Sequence, residues 1–271
     1  MTRQLRLLIV GAHPDDCDIR AGGLAALYAH AGHAVKMVSL TNGDGGHQSM
    51  GGAPLAWRRR EEARRAGEVL GAEYITCDHH DGELLADLDL RREVVRMIRD
   101  FRPDLVLGPR PWDYHPDHRA AGQVLIDAIY MTTVPNFCSD AEHLRRMPVL
   151  GFVYDGFQRP YPFAATVAVD VDDVMDCKLD ALACHASQVY EWLPYNREAL
   201  DEVPSENADR RAWMRAWYEA RFCGLADAYR ALLVARYGPE RGKAVRFCEA
   251  FEISEYGAPA GPADLAALFP F

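Results

Sequence analysis

The stretch LRLLIVGAHPDD, residues 5–16, decides the fold of this chain. Its first six residues form an apolar run whose length and composition are typical of a buried parallel strand. A glycine ends the run, and an imidazole and two carboxylates follow at once, on His13, Asp15 and Asp16. Because an apolar helical pattern begins near residue 24, the sequence predicts that these polar groups lie on a turn between a strand and a helix.

The position of this turn suggests a functional site. In open α/β sheets, ligands bind at the carboxyl ends of the strands. Taken alone, the turn is either a metal-and-base cluster or a polar loop. A second predicted strand, residues 105–108, is followed by the motif HPDH at 115–118. His13, Asp16 and one of the two later histidines would form a set of two nitrogens and one oxygen with an open fourth position, which is how catalytic zinc is held.

The rest of the first half alternates strand and helix patterns. Strands are predicted at 5–10, 34–41, 73–77 and 105–108, and helices at 22–31, 56–70, 90–101 and 118–130. This alternation predicts an α/β fold with a Rossmann-like open, mostly parallel sheet and helices on both faces. Strand patterns at 149–154 and 166–171 have no helix between them and predict an antiparallel pair or the far edge of the sheet. A final strand is predicted at 248–253.

Three other polar motifs are interpreted structurally. The glycine-rich segment 42–46 lacks the spacing of a phosphate-binding loop and is predicted to be a flexible loop on the substrate side. His79 and His80 are adjacent on an extended chain, so their side chains point to opposite sides and should not share a metal. His185, on a helix predicted at 174–192, is expected to be packed or hydrogen-bonded rather than to bind metal.

Composition excludes several classes of function. The 271 residues carry a formal charge of −10 with no basic stripe, which disfavours binding to nucleic acid or to an anionic membrane surface. Seven cysteines, an odd number without any Cys-x-x-Cys, predict reduced thiols and a cytoplasmic protein. Without a run of about 18 apolar residues, no membrane span is expected. A cleaved signal peptide would remove residues 13–16, so none is expected.

The paired motifs at 13–16 and 115–118 resemble those of the LmbE / PIG-L family of metal-dependent N-deacetylases. Further matching motifs are Arg59-x-x-Glu62, Asp81-Gly82, the stretch from Lys178 to Gln188, and Glu249-x-Phe251. The resemblance covers roughly the first 190 residues and the last 25. Cys17 stands where the family usually has glutamate, a position that does not bind the metal.

The resemblance implies which residues bind the metal. His13, Asp16 and His118 are the implied ligands of Zn2+, with Fe2+ or another divalent metal as alternatives. The chain would then be a single domain, residues 1–271. Its segment 190–247 is an addition to the part of the chain that the family pattern covers. This helical C-terminal insertion is predicted to be a lid or an oligomer contact, and the second role would make the protein a homo-oligomer.

Other residues remain for catalysis and substrate binding. Asp15 is free to act as general base on water and then as acid to the leaving amine. A protonated His115 can stabilise the oxyanion, with Asp117 placed to orient it and raise its pKa. Arg59 and Asp81 are the positions predicted to hydrogen-bond sugar hydroxyls.

The implied reaction removes acetate from an N-acetylglucosamine-type conjugate, a small molecule in which the sugar is linked to an inositol, a malate, a lipid or an antibiotic aglycone. One alternative is an amidase that cleaves a larger acyl group from a thiol- or antibiotic-conjugated amino sugar. A second is a nucleotide-binding α/β module without catalysis. That module would need a glycine-rich turn after the first strand, where this chain has residues 13–16 of the first motif.

Overall fold

A computed structural model describes residues 3–271, apart from the side chains of residues 207 and 208. The strands are β1 Arg6–Gly11, β2 Ala34–Thr41, β3 Glu73–His79, β4 Leu105–Gly108, β5 Val149–Val153, β6 Val167–Asp170 and β7 Cys248–Ile253. The helices are α1 Asp16–His30, α2 Ala53–Leu70, α3 Leu88–Phe101, α4 Pro116–Met131, α5 Met175–Cys184, α6 Leu193–Tyr195, α7 Asn207–Phe222, α8 Leu225–Ala228, α9 Arg230–Tyr237, α10 Pro239–Ala244 and α11 Pro262–Leu268.

The seven strands form one sheet in the order β3-β2-β1-β4-β5-β7-β6. Strands β1 to β5 are parallel, and β7 is antiparallel to both of its neighbours. Alternate side chains of β1 enter opposite buried clusters, with Leu7 and Ile9 on one face and Leu8 and Val10 on the other. Helices α1 and α5 cover the first face, and α3 and α4 cover the second. The predicted open, mostly parallel α/β sheet is therefore confirmed.

One sheet prediction is wrong. The two strands near residues 150 and 168 do not pair with each other, because β7 lies between them. Gly151 of β5 is opposite Ile253 of β7, and Val167 of β6 is opposite Phe251. An interior strand needs an apolar run, and the first four residues of β7 are buried. β6 does form the far edge of the sheet, as the alternative prediction stated.

Helix α1 begins six residues earlier than predicted and bends at Ala21, whose φ of −143° is not helical. The bend leaves backbone groups without helical partners, and a buried ion pair satisfies them. Glu249 accepts hydrogen bonds from two backbone N–H groups just after the bend, while Lys178 donates to a carbonyl just before it and to Glu249 at 2.6 Å. These two family-motif residues therefore hold the shape of the helix that begins at Asp16.

The C-terminal half departs furthest from the predicted helices. The predicted helix 174–192 breaks at His185, whose backbone is not helical and whose ring bonds to Asp18 at 3.0 Å. A π-helix, Ser187–Trp192, follows. In the segment 190–247, α7 packs on α5, whereas α8 and α9 pack on β7 and β6 at the far end of the sheet. The segment therefore supplies part of the core as well as a border of the site.

Two further expectations can be compared with the structure. All seven cysteines are free thiols in the part of the chain that the structure describes. Within residues 3–271, no helix is both long enough and apolar enough to cross a membrane.

Candidate metal centre and active site

The two histidine motifs meet at the carboxyl edge of the sheet. Strands β1 and β4 are hydrogen-bonded neighbours, so the turns that follow them are adjacent. His13 Nδ1 and His118 Nε2 lie only 3.2 Å apart. Asp16 Oδ2 lies 3.5 Å from the same His13 nitrogen and 3.4 Å from the same His118 nitrogen. The three side chains thus point donor atoms at one common position.

The size of this triangle fits a single metal ion. Zinc binds nitrogen and oxygen ligands at about 2.0–2.1 Å, so two ligands of a tetrahedral ion are about 3.3 Å apart. The three observed separations, 3.2 to 3.5 Å, agree with that value. Asp16 is held in place because its Oδ2 also accepts the N–H groups of Ala12 and His13. The donors therefore fit a divalent ion without rearrangement.

The outer nitrogens of both histidines face carboxylates. His13 Nε2 is 3.2 Å from Asp117 Oδ2 and 3.2 Å from Asp81 Oδ1, and His118 Nδ1 is 3.0 Å from Asp113 Oδ1. Metal-binding histidines almost always donate their second ring N–H to such a group, which fixes the tautomer and the ring. The sequence analysis missed Asp113, although its place two residues before the HPDH motif put it near the site.

The ionisable groups around the triangle favour a positive charge there. Burial alone would lower the pKa of His13, but the carboxylates of Asp117, Asp16 and Asp81 raise it well above its ordinary value. Burial would raise the pKa of Asp16, but the charge of His118 and the hydrogen bonds of His13 outweigh burial and lower it. The site therefore favours a positive charge among these groups.

Two other groups of side chains also converge. His13, His115 and His118 form one, and His13, Asp81 and Asp117 form the other. The set with Asp16 is favoured because its three donor atoms lie 3.2 to 3.5 Å apart, the spacing expected of tetrahedral ligands. His115 Nδ1, in contrast, already accepts a backbone N–H at the start of α4.

Asp15 lies beside the triangle in a strained conformation. It is a non-glycine residue with φ of 129°, its side chain is buried, and its N–H donates to the hydroxyl of Tyr74 at 3.2 Å. Burial raises the pKa of Asp15 to about 6, against the lowering effect of Arg59, whose guanidinium is 3.6 Å away. Backbone strain of this kind persists where the surrounding structure imposes it, and it clusters at active sites.

We predict that relieving this backbone strain raises the free energy of unfolding. Asp15→Gly and Asp15→Ala remove the same carboxylate, but only glycine tolerates the observed φ. We expect the glycine variant to have a free energy of unfolding about 1 kcal/mol higher than that of the alanine variant. Urea unfolding of the two metal-free proteins measures the difference. An alanine variant as stable as the glycine variant would show that the backbone there is not strained.

His115 and Asp117 interact through a backbone hydrogen bond and through charge, without a contact between their side chains. Asp117 was expected to orient His115 and raise its pKa, but its carboxylate accepts the N–H groups of Gly82 and Leu84 and contacts His13. Only the backbone N–H of Asp117 reaches His115, at 3.2 Å. Burial and the nearby charges of His13 and His118 lower the pKa of His115, against the raising effects of Asp117 and Asp81. Asp117 therefore acts on this pKa in the predicted direction but is outweighed, because α4 begins here and its carboxylate is directed toward the β1 turn.

Arg59 and Asp81 both border the site, with most of their polar atoms engaged by protein. Arg59 is 1% exposed, and its guanidinium donates to the carbonyls of Gly43 and Pro14 at 2.9 Å each. Gly43 has φ of +70°, and a Cβ there would lie 2.3 Å from Arg59 Nη1. Arg59 therefore braces the two loops that carry the glycine-rich segment and Asp15.

The metal triangle opens into a cavity of about 400 Å³. Its inner part is formed by the metal-site residues, Asp15, His115, Arg59, Asp81 and the glycines of the 42–46 loop. Its outer part is formed by residues of α1 and α7, of the loop before α4 and of the stretch 188–197, namely Ile19, Arg20, Tyr114, Gln188, Trp192, Leu193, Asn196, Arg197, Trp217 and Arg221. The glycine-rich loop thus lies on the cavity side, as predicted.

Three other histidines considered above have carboxylate partners. The rings of His79 and His80 bond to different residues, Glu93 at 2.8 Å and Asp44 at 2.6 Å. The ring of His185 is fully buried against Asp18, which confirms that this histidine is packed and hydrogen-bonded.

Cys17 is predicted to have no part in metal binding. Its thiol is buried and points toward the carbonyls of Ile9 and Val38, at 3.6 and 3.5 Å. Burial raises the pKa of this thiol, which disfavours the thiolate that a metal would need. We expect Cys17→Ser to keep the metal content of the wild type, as measured by elemental analysis. Loss of metal from this variant would indicate a sulfur ligand.

The fold and this donor set suit an α/β enzyme that can bind a divalent metal at the carboxyl edge of a mostly parallel sheet. The sequence profile described as PIG-L: GlcNAc-PI de-N-acetylase matches residues 8–129. A diacetylchitobiose deacetylase from Thermococcus kodakarensis is 36% identical over 203 residues, which cover 71% of this chain and 75% of that protein. The chain belongs to the PIG-L (LmbE-like) family of deacetylases.

Two other relatives extend the comparison. A 4-oxalmesaconate hydratase from Pseudomonas putida is 31% identical over 211 residues, covering 73% of this chain and 80% of that protein. Among solved structures, N,N'-diacetylchitobiose deacetylase from Pyrococcus horikoshii superposes with a TM-score of 0.72 at 24% identity. That match covers 93% of this chain and 84% of the other and supports the shared fold.

Proposed function

We propose that this protein is a metal-dependent N-deacetylase that releases acetate and a free amine from an N-acetylglucosamine-type conjugate. The observation that carries the proposal is the triangle of His13, Asp16 and His118, with a separate carboxylate, Asp15, beside it in the same cavity. Membership of a family of deacetylases supports the reaction, and the diacetylchitobiose deacetylase relative supports an N-acetylated amino sugar as the substrate class.

The three side chains of the triangle would hold the metal, with Zn2+ as the first choice and Fe2+ or another divalent ion as alternatives. Such an ion, when bound, supplies Lewis-acid activation of water and of the amide carbonyl. Asp81 and Asp117 contact the outer nitrogen of His13, and Asp113 contacts that of His118. These carboxylates hold both rings in the tautomer whose inner nitrogen is free to bind the metal.

Proton transfer is assigned to Asp15. Its raised pKa, about 6, suits a base that takes a proton from the attacking water and returns it to the leaving amine. His115 faces the same cavity, and its Nδ1 accepts a backbone N–H. That contact fixes the neutral tautomer with a proton on Nε2, which is available to donate to the developing oxyanion.

The substrate is proposed to fill the cavity above these groups. Asp81 and Arg59 lie along its inner part, where they would face sugar hydroxyls, and Arg59 in addition supports the loop of Asp15. Trp192 and Trp217, from the segment 190–247, border the outer part. This placement supports a role for the segment in limiting which substrates enter. The alternative is that the segment forms a contact between subunits. Measuring the molecular mass of the protein in solution tests for such a contact.

Seven free thiols support a reducing compartment, and we propose the cytoplasm as the place of action.

The experiment is a screen for amine and acetate release. Diacetylchitobiose, N-acetylglucosaminyl malate and N-acetylglucosaminyl inositol are incubated with protein loaded with Zn2+ or Fe2+, and free amine and acetate are measured together. Equal amounts of both products support deacetylation. A thiol-conjugated amino sugar with a larger N-acyl group is assayed alongside, and amine release from that compound alone would favour the amidase alternative. Absence of amine from every N-acetyl conjugate would contradict the proposal.

A second candidate is hydration of an unsaturated carboxylate, which the 31% identical hydratase favours. Both reactions use an activated water, so the metal triangle alone does not separate them. The same protein should therefore be assayed for consumption of 4-oxalmesaconate. Turnover of that compound without amide hydrolysis would replace the deacetylase assignment.

A further inference from the structure

Three arginines from separate parts of the chain line the outer part of the cavity. Arg20 lies on α1, Arg197 follows α6, and Arg221 lies near the end of α7. Arg20 donates to the carbonyl of Tyr154 at 3.0 Å, and the guanidinium of Arg197 stacks on the ring of Trp217 at 5.0 Å. Both contacts position the guanidinium groups without neutralising them.

No carboxylate among the described side chains lies within 4.0 Å of any of these three guanidinium groups. What sets these three apart from other unpaired arginines is that they all line the cavity of the candidate active site. On the same helix as Arg221, by contrast, Arg211 pairs with Asp180 at 2.7 Å, and Arg215 pairs with Asp176.

The three positive charges also act on one another. Partial burial, followed by the charges of Arg20 and Arg197, lowers the pKa of Arg221. Asp113 is near enough to Arg20 for the arginine to lower its pKa, but its carboxylate is bonded to His118 and to the N–H of His115. Like charges gathered at one cavity repel each other until an anion lies between them. The carboxylates of the same cavity, on Asp15, Asp16 and Asp81, belong to the metal-site end, and none of them pairs with these guanidinium groups.

We propose that the substrate's group attached to the amino sugar carries an oxyanion, a carboxylate or a phosphate, and that Arg20, Arg197 and Arg221 bind it. The identity of the sugar in this inference rests on the proposed deacetylase function. The binding of an anion by the three arginines does not depend on that function. Guanidinium groups bind planar carboxylates and phosphates through paired N–H donors, and a hydrogen bond between two charged groups is about twice as strong as a neutral one. The acetamide would then lie at the metal triangle, at the inner end of the same cavity.

The test measures binding and does not require turnover. Isothermal titration compares neutral N-acetylglucosamine with N-acetylglucosamine 1-phosphate and with N-acetylglucosaminyl malate, which separate a phosphate from a carboxylate. The proteins are the wild type, the double variant Arg197→Gln/Arg221→Gln, and Arg211→Gln, which removes one charge from α7 away from the cavity. We expect the wild type to bind at least one anionic sugar roughly tenfold or more tightly than the neutral sugar.

The double variant should lose most of that preference, and Arg211→Gln should keep it. The preference should also weaken as salt is raised, because the arginines are partly exposed. A wild type that binds neither anionic sugar more tightly than N-acetylglucosamine would overturn the proposal. An unchanged preference in the double variant would do the same.

A kinetic arm separates this inference from the proposed function. The ratio of kcat/KM for N-acetylglucosaminyl malate to that for diacetylchitobiose should fall about tenfold or more in the double variant, through KM. If no amide is hydrolysed but the anion preference depends on the arginines, the deacetylase assignment fails and the anion site stands. If hydrolysis occurs with an unchanged ratio, the anion site fails and the deacetylase assignment stands.

Discussion

Asp15→Asn is expected to lower kcat for amide hydrolysis by about 10²–10⁴, the usual contribution of a positioned general base, while the protein keeps its metal. Asparagine preserves the shape and polarity of the side chain but offers no basic oxygen. None of the three atoms that form the metal triangle belongs to Asp15, so the donor set is intact in this variant. The measurements are the rate of acetate release at saturating substrate and the metal content of the same sample.

A matched control is Asp78→Asn, which removes an exposed carboxylate that pairs only with Arg60 and Asn42 at the surface. That variant should keep both the rate and the metal of the wild type. Full turnover by Asp15→Asn would contradict the assignment of proton transfer to Asp15. Loss of metal from Asp15→Asn would instead show that both aspartates of the turn bind the ion.

Asp16→Ala and His118→Ala should show the opposite pattern, since each removes one of three ligands. Loss of even an outer partner of a ligand typically weakens metal binding by 10–100-fold, so we expect each ligand variant to lose more than about 100-fold in affinity. Competition with a chelator of known affinity measures the change. Activity should fall with the metal content and return partly at high metal concentration.

Asp113→Asn provides the graded comparison for these ligand variants. Its carboxylate contacts the outer nitrogen of His118, so its loss should weaken metal binding by about 10–100-fold without abolishing it. Metal affinity in Asp16→Ala equal to that of the wild type would show that another donor set, such as the one with His115, holds the ion.

The parts of the fold that depend on local sequence were predicted well. Strands β4 and β7 have the predicted bounds, 105–108 and 248–253, and the helix patterns between β1 and β4 place helices on both faces. The pairing partner of β7 was not predictable, because the residues it joins are about a hundred positions away and nothing local selects them. The break at His185 likewise depends on Asp18, a contact that spans 167 residues.

The candidate site also combines features that the local sequence predicts with features that depend on distant contacts. The ends of predicted strands brought together His13, Asp16 and one of the two later histidines, and the family resemblance selected His118. The sequence did not predict the direction of the Asp117 side chain, since that depends on how α4 begins. The cluster of Arg20, Arg197 and Arg221 could not be predicted from the sequence, because only the tertiary fold brings these three separate parts of the chain to one cavity.

Metal dependence is tested most directly by the rate of acetate release as Zn2+ is added back to metal-stripped protein. If the triangle holds one catalytic ion, stripping abolishes the rate, added metal restores it, and the rate reaches a plateau at about one equivalent per chain. Diacetylchitobiose is a suitable substrate, because the relative of highest identity described above is named for it. A stripped protein that keeps its full rate of amide hydrolysis, or a rate that does not respond to added metal, would contradict the account.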